Sequence, residues 1–209
     1  MFKNLKFIKM VSTIKKLSFA VILIAFSSIT INAQEATKWN VDKSHTSINF
    51  TINRFFTEIS GNFVNFSGNF DFNSNYLRGS ETKFTIAVNS LNTSNEKRDE
   101  HLQSADFFDS ERYPEITFTS IKFEKKSDVE YLIYGKLTIK DKTKDVILPM
   151  KITGEMEHPM AKGVFILSVV INATINRTDY GVGTGNWATS AVLGDEVKIN
   201  IPMDLVRKK

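Results

Sequence analysis

Cysteine is absent from the 209-residue chain, and histidine occurs only three times. Without cysteine the protein can contain no disulfide and no lipid-modified cysteine, so an exported fold would have to be stable through packing alone. His45, His101 and His158 stand at no spacing typical of a metal site, and we predict no metal and no cofactor. Prolines are few, and 42% of the residues are apolar, which fits one globular domain with a sizeable core.

Acidic and basic residues nearly balance once the N-terminus is set aside. Residues 1–33 carry five lysines and no Asp or Glu, and the remaining 22 basic and 23 acidic residues give a net charge of −1. A near-neutral domain has no electrostatic footprint for nucleic acid, so we predict no nucleic-acid partner.

The N-terminus has the composition of an export signal. Its lysines lead into the apolar run LSFAVILIAF at residues 17–26, and small and polar residues follow up to Ala33. The run is too short to span a bilayer, which needs about 20 residues. We therefore predict a signal peptide at residues 1–33, a mature domain at residues 34–209, a periplasmic or secreted location, and no stable membrane span after cleavage. An uncleaved amphipathic anchor is the alternative.

Apolar and polar residues alternate with a period of two along most of the chain after Trp39. Such alternation is typical of strands with one apolar and one polar face. The phase changes at Ser120–Ile121, which predicts a β-bulge. Pro149 and Pro202 lack a backbone donor and are expected at bulges or strand margins. The pattern predicts nine strands, near residues 38–43, 46–54, 61–73, 81–90, 115–125, 129–140, 144–156, 163–176 and 196–206.

Several of these strands would expose long edges if the sheet stayed open. Ten residues reach about 33 Å, and unpaired edges of that length favour aggregation. Closing the sheet removes the edges, so we predict an all-β fold built as an antiparallel β-barrel.

Residues 91–114 interrupt the strand pattern. Thr93 and Glu96 have the spacing of a capping box, so we predict that a helix begins at Thr93. On that helix Arg98 and His101 would lie near one face, because they are three residues apart.

The insertion contains Arg98, Asp99, Glu100 and His101 in succession. With one histidine they make a weak metal site, and no nucleophile or orienting partner accompanies them. Three interpretations remain open: a structural helix across a barrel mouth, contact with the polar head of a ligand, or acid–base catalysis by His101 and Asp99. We favour the structural role and predict no catalytic residues.

Several motifs occur in an order that resembles the YceI-like family of lipocalin-like, polyisoprenoid-binding proteins. The most specific is RDEHLQSADFFDSERYPEITFTS at residues 98–120. The resemblance covers residues 38–207. The supporting motifs are WNVDKSHTSINFTI (39–52), GNFVNFSGNFDF (61–72), YGKLTIKDKTKDVILP (134–149) and INRTDYGV (175–182).

The resemblance implies an extended antiparallel, lipocalin-like β-barrel with a long apolar cavity, capped at one end by the short helical insertion. It implies binding of a long-chain isoprenoid or similar apolar lipid in an exported setting, and a possible homodimer. It brings no catalytic residues. One departure stands at Arg54, where the family usually has a histidine followed by Leu-Gly. Here Phe55–Phe56 follow, which leaves the ligand's head group open.

Phenylalanine is abundant, with 17 residues against two tryptophans. A phenyl ring offers apolar surface with no polar atom to satisfy. Such rings fill a core as readily as they line a cavity, and a small barrel can fill itself completely; the family resemblance favours the cavity. The candidates for its lining are Phe50, Ile52, Phe63, Phe70, Phe84, Ile86, Phe118, Ile133, Leu167 and Val169.

Residues at the expected rim are candidates for contact with a ligand's head group, although pairing or hydration also explains each cation. Trp187 lies in the glycine-rich segment 179–190, which we expect to be a flexible loop near the barrel end. Its glycines lack the strand-to-helix context of a nucleotide-binding motif. The rim candidates are Arg54, Arg98, His101, Arg177 and Trp187.

The favoured function is an exported, non-enzymatic protein that holds a polyprenyl compound or isoprenoid quinone for transport, storage or sequestration. Each buried CH₂ contributes about 0.8 kcal/mol, so a tail of several isoprene units can outweigh the costs of association without a charge in the cavity. Two alternatives remain: an enzyme acting on a bound lipid through His101 and Asp99, and a filled barrel that serves in protein contacts.

Overall fold

The computed structural model describes residues 36–209, so the predicted signal peptide at residues 1–33 lies outside the described residues. No helix within residues 36–209 is long and apolar enough to cross a membrane. The α-helix, α1, is Glu96–Gln103, and 3₁₀ helices are Leu77–Gly79, Val88–Ser90, Arg177–Tyr180 and Gly185–Trp187. The strands are β1 Lys38–Asp42, β2 Ile48–Arg54, β3 Thr57–Phe63, β4 Phe66–Asp71, β5 Glu81–Ala87, β6 Leu91–Asn92, β7 Glu115–Lys125, β8 Glu130–Ile139, β9 Lys142–Glu157, β10 Val164–Asn176 and β11 Leu193–Lys208.

Antiparallel pairing closes the sheet into a barrel. The ring runs β1–β4–β5–β7–β8–β9–β10–β11 and returns to β1, which pairs with β11. Three of these strands are extended, after a short break, by a second strand: β2 continues β1, β3 runs into β4, and β6 continues β5. The pairing of β11 with β2, of β2 with β3 and of β3 with β6 carries the barrel wall across these breaks. The fold is therefore an eight-stranded antiparallel barrel with bent strands, and the predicted fold class is confirmed.

Two of the predicted strands are each divided by a bend. The strand predicted at 61–73 is β3, which begins earlier at Thr57, followed by β4. Both Phe63 and Phe66 are buried although they are three residues apart, so the inward phase shifts between them. The strand predicted at 81–90 ends in the 3₁₀ turn Val88–Ser90, after which β6 resumes the pairing with β3.

The predicted bulge in β7 is confirmed. Pairing with β8 shifts register between Ser120 and Lys122, and Ile121 is left exposed. Pro149 and Pro202 both lie inside strands. Each stands where the hydrogen-bond pairing with one of the two neighbouring strands is interrupted. Pro149 precedes the last pair between β9 and β10, and Pro202 lies where the partner of β11 changes from β2 to β1.

The barrel end away from α1 is filled with aromatic and aliphatic side chains. The rings of Phe72 and Tyr131 meet edge to face with centroids 5.1 Å apart, and Phe123 lies 5.7 Å from Phe72. The indole nitrogen of Trp39 donates to the carbonyl oxygen of Phe72 at 3.1 Å. Because these side chains are nearly fully buried, this end of the barrel is a packed core.

The N-cap of α1 lies two residues after the predicted one. Asn95, rather than Thr93, is the N-cap, and its side-chain oxygen accepts from the backbone N–H of Arg98 at 3.0 Å. The prediction of Thr93 as the cap was wrong, because Asn95 offers the same acceptor closer to the turn. Thr93 is buried instead and has a different set of partners.

Candidate functional site

The part of the barrel next to α1 is hollow. Its cavity has a volume of about 440 Å³, which is within the usual range for small-molecule sites of about 300–1,000 Å³. Phe70 lies in its wall and also contacts Phe72 and Phe123 of the packed end. The cavity therefore ends at a floor of aromatic rings, and α1 lies at the opposite end.

Eight of the ten predicted lining residues are in the cavity wall. Leu167 and Val169 are not, although both are almost fully buried. Leu167 pairs in register with Leu205, which does not line the cavity either, and Val169 pairs with Met203, the last residue of β11 in the wall. On β10 the wall is formed further along the strand, by Ile171 and Ile175. Predicted residues that do line the cavity are Phe50, Ile52, Phe63, Phe70, Phe84, Ile86, Phe118 and Ile133.

Two of the lining phenylalanines lie over the glycine that faces them on the neighbouring strand. Phe50 faces Gly61 in the β2–β3 register, and Phe84 faces Gly68 in the β4–β5 register. A Cβ built on either glycine would come closer than 3.0 Å to that ring. Each ring therefore rests against the backbone of the wall, where a larger residue would push it into the bore.

Aromatic side chains from two loops and the helix cover the mouth. His101 of α1 meets the rings of Phe107 and Trp187 edge to face, at 5.1 and 5.3 Å between centroids. All three residues line the cavity. The ammonium group of Lys140 donates to the carbonyl oxygens of Phe107 and Gly181, at 2.9 and 3.1 Å, and so holds the two loops together.

Thr93 connects Arg98 and Asp99, two charged residues in the first turn of α1. The carboxylate of Asp99 accepts from the backbone N–H of Thr93 at 2.9 Å and from its hydroxyl at 2.5 Å. Arg98 donates from Nε to the Thr93 hydroxyl at 2.7 Å and from Nη2 to the Thr93 carbonyl at 2.8 Å. These bonds anchor α1 to the strand that precedes it, as the structural interpretation predicts.

Arg177 is buried and its guanidinium is occupied by protein oxygens. Nε donates to the carbonyl of Gly194, Nη1 to that of Val182 and Nη2 to that of Leu193, each at 2.8 Å. Asp195 accepts from Nη2 at 3.2 Å. Burial lowers the pKa of Arg177, and the negative charge of Asp195 opposes that shift. Arg177 therefore organises the loop between β10 and β11 and has no donor direction left for a head group.

The hairpin between β2 and β3 forms another part of the rim. Arg54 lines the cavity, and its guanidinium carbon lies 5.0 Å from the ring centroid of Phe55. Phe55 has a left-handed backbone conformation with φ of 51°. The side chains of Phe55 and Phe56 are both exposed, so this rim is bulky and apolar next to a permanent positive charge.

The residues proposed for acid–base chemistry do not face one another. The acidic side chain that the His101 imidazole contacts is that of Asp106, at 3.4 Å between Nε2 and Oδ2. The carboxylate of Asp99 is instead hydrogen-bonded to Thr93. Within residues 36–209 no group of three or more histidine and acidic side chains is placed to hold a metal ion.

Three apolar residues of the insertion that lie outside the strands belong to the wall but were not among the predicted lining residues. Leu102, Phe107 and Phe108 all line the cavity. The two-residue period could not indicate them because they lie outside the strands. The available signal was the pair of adjacent phenylalanines in an otherwise polar segment.

Comparison with known proteins places this geometry among related barrels. A family model described as YceI-like domain matches residues 39–205. A UPF0312 protein of Staphylococcus aureus is 32% identical over 165 residues, which make up 78% of this chain and 93% of that protein. The crystal structure of Burkholderia cenocepacia BcnA is similar with a TM-score of 0.69 and 25% identity, over 81% of this chain and 100% of BcnA. A polyisoprenoid binding domain from Saccharophagus degradans has a TM-score of 0.59 at 12% identity, over 82% of this chain and 98% of that domain, and shows a likeness of fold alone.

Proposed function

The chain belongs to the YceI-like domain family, and on that premise we propose that it is a non-enzymatic protein that holds the long apolar tail of a lipid in its barrel. The observation that carries the proposal is the apolar cavity of about 440 Å³, closed at one end and covered by α1 at the other. The S. degradans neighbour is described as polyisoprenoid binding, which supports an isoprenoid or similar tail, such as that of a polyprenyl compound or quinone.

The tail would bind through burial of apolar surface. Each CH₂ removed from water contributes about 0.8 kcal/mol, and the flat rings of Phe50, Phe84 and Phe118 supply rigid contact at little cost in side-chain entropy. Thr82 lies in the wall, but its hydroxyl donates to the carbonyl of Asn69 at 2.7 Å. The deep wall therefore offers the tail no unpaired hydroxyl, which suits a hydrocarbon.

The head of the lipid would remain at the mouth. Of the predicted rim residues, Arg54, Arg98, His101 and Trp187 are the ones we propose to contact it, since Arg177 is fully occupied by backbone carbonyls and Asp195. The aromatic cover of His101 and Trp187 would have to part when the lipid enters or leaves.

We also propose that the protein is exported and acts in the periplasm or outside the cell as a carrier, store or sequestering agent. The support is the lysine-rich, apolar sequence of residues 1–33. The mass of the protein recovered from an extracytoplasmic fraction tests this: cleavage after Ala33 gives a chain that begins at Gln34, and an intact N-terminus retained with the membrane contradicts it.

Lipid extraction tests the proposed ligand class. Protein purified gently from cells with intact membranes should yield a stoichiometric long-chain lipid by organic extraction and mass spectrometry. Ile133→Trp, which enlarges a buried wall residue, should lower the yield, while Ile147→Trp on the exposed face of β9 should not. Thermal unfolding of both variants verifies that each is folded. Repeatedly lipid-free protein that also fails to bind added polyprenyl compounds would refute the proposal.

A further inference from the structure

Among the residues that the structure describes, every ionisable side chain that lines the cavity is basic. This part of the wall includes Arg54, Arg98, His101 and Arg177, and it contains no aspartate, glutamate or tyrosine. From this distribution we infer that the bound lipid is an anionic amphiphile, with a carboxylate or phosphate head held by arginine at the mouth. The inference rests on the proposed function and names the chemical class of its ligand.

Arg98 is positioned for this role. Its Nε and Nη2 atoms donate to the neutral oxygens of Thr93, at 2.7 and 2.8 Å, which fix the plane of the guanidinium. Within residues 36–209, Arg98 forms no ion pair, and no protein acceptor is bonded to Nη1. The adjacent carboxylate, Asp99, is directed to the N–H and hydroxyl of Thr93. A fixed guanidinium with unused donors loses little entropy when it binds an anion.

Arg54 adds a second cation on the hairpin at the rim. It stacks on Phe55 and has neither a hydrogen-bond acceptor for its guanidinium nor an ion pair among the residues that the structure describes. Arg177, by contrast, has its donors bonded to the carbonyls of Val182, Leu193 and Gly194. The charge available to a ligand therefore comes from Arg54 and Arg98, because the His101 imidazole contacts Asp106.

The inner wall excludes the opposite orientation of the lipid. Thr82 donates to Asn69, and the side-chain amide of Asn49 donates to the hydroxyl of Ser47 at 2.9 Å. A buried anion without charged or hydrogen-bonded partners is strongly unfavourable. The charged head therefore lies at the mouth and the tail extends toward Phe70 at the cavity floor.

Two ligands with the same chain and different heads test the inference. Binding of farnesyl monophosphate and of farnesol to the full domain can be measured through the fluorescence of Trp187, which lines the cavity. The phosphate should bind at least about tenfold more tightly, the effect expected of one hydrogen bond to a charged group. Inorganic phosphate alone should not displace either ligand, because it has no tail.

Matched arginine variants locate the effect. Arg54→Gln and Arg98→Gln should each reduce the preference for the phosphate, measured as the ratio of the affinities for farnesyl monophosphate and farnesol in the same variant. Arg112→Gln is the control: its guanidinium carbon lies 5.1 Å from the ring centroid of Tyr113, much as that of Arg54 lies over Phe55, but Arg112 does not line the cavity. Should Arg98→Gln fail to fold without its bonds to Thr93, the exposed Arg54 variant carries the test.

The outcomes separate this inference from the proposed function. Equal affinities for the two ligands, or an unchanged preference in both Arg54→Gln and Arg98→Gln, would overturn the anionic head and leave lipid binding intact. Displacement by inorganic phosphate at the same concentration would show a site for free anions and would also overturn it. Failure to bind either farnesyl compound, together with lipid-free preparations, would refute the proposed function and this inference with it.

Discussion

The ring of Phe118 on β7 lies over the backbone of Gly135 on β8. A Cβ added to Gly135 would come closer than 3.0 Å to two ring atoms of Phe118 and to the carbonyl oxygen of Thr119. The same arrangement relates Phe50 to Gly61. The width of the bore therefore depends on glycines that let large rings lie flat against the wall.

Gly135→Ala should narrow the cavity and destabilise the barrel. The added methyl group has to displace the ring of Phe118 toward the bore, and overpacking of this kind costs about 1–3 kcal/mol. Urea denaturation should show the lower free energy of unfolding, and extraction should show less bound lipid. Gly154→Ala is the matched control on β9, because nothing lies within 4 Å of its Cβ position. Equal stability and lipid content in the two variants would contradict this account.

Asp99→Asn should loosen the attachment of α1 to Thr93. The carboxylate accepts from both the N–H and the hydroxyl of Thr93, and hydrogen bonds to a charged group contribute about 1.5–3 kcal/mol each. We expect a lower free energy of unfolding and faster exchange of the amide hydrogens of α1. Glu100→Gln, at the next and exposed position, is the control. If both variants unfold at the same denaturant concentration, Asp99 does not anchor the helix.

Arg177→Lys should be poorly tolerated although it keeps the charge. A lysine cannot reproduce the planar fork that reaches the carbonyls of Val182, Leu193 and Gly194. Buried carbonyls left without a donor cost about 1–3 kcal/mol each. Thermal unfolding should show a clearly lower Tm, while Arg78→Lys, at an exposed position in a 3₁₀ helix, leaves it unchanged. A wild-type Tm for Arg177→Lys would show that these bonds do not hold the loop.

His45 and Asp42, at the end of β1, make stability depend on pH. Their side chains are 2.8 Å apart, and this hydrogen bond raises the pKa of His45 and lowers the pKa of Asp42. The histidine contribution is complete below its ordinary pKa of 6.5 and is lost as pH rises through the raised value. The aspartate contribution is complete above its ordinary pKa of 3.8 and is lost as pH falls through the lowered value.

His45→Gln should therefore destabilise the protein most between pH 3.8 and 6.5. Urea denaturation of both proteins across this window and in alkaline buffer measures the difference, which should be small because the pair is exposed. His158→Gln is the control for a general effect of removing a histidine. A difference that grows as the solution becomes alkaline would contradict the assignment.

The sequence pattern predicted well which side chains of a strand point inward. It predicted poorly how far along the barrel axis each of them lies. Phe84 and Leu167 both follow the alternation, but Phe84 lines the cavity and Leu167 is buried without lining it. Alternation reports which face of a strand a side chain occupies, because successive side chains point to opposite faces. It carries no information on the distance to side chains of the opposite wall.

Contacts made by Thr93 and Arg177 could not be predicted for a related reason. The capping pattern at Thr93 and Glu96 was visible in the sequence, but Asn95 lies nearer to the first turn and forms the cap. Arg177 was a candidate for contact with a ligand's head group, with pairing as the alternative, and it donates to carbonyls 5 to 17 residues further along the chain. Both outcomes depend on how the loops fold back over the barrel end.

The sequence by itself determined the strands, the bulge in β7, the insertion and the family, because these follow from local alternation and from motifs in a fixed order. Only the tertiary structure decided that one end of the barrel is filled and the other hollow, and that Arg98 keeps unused donors while Arg177 does not. The physical reason is that a cavity and a free charge are defined by what lies across the barrel, and those neighbours are distant in the chain.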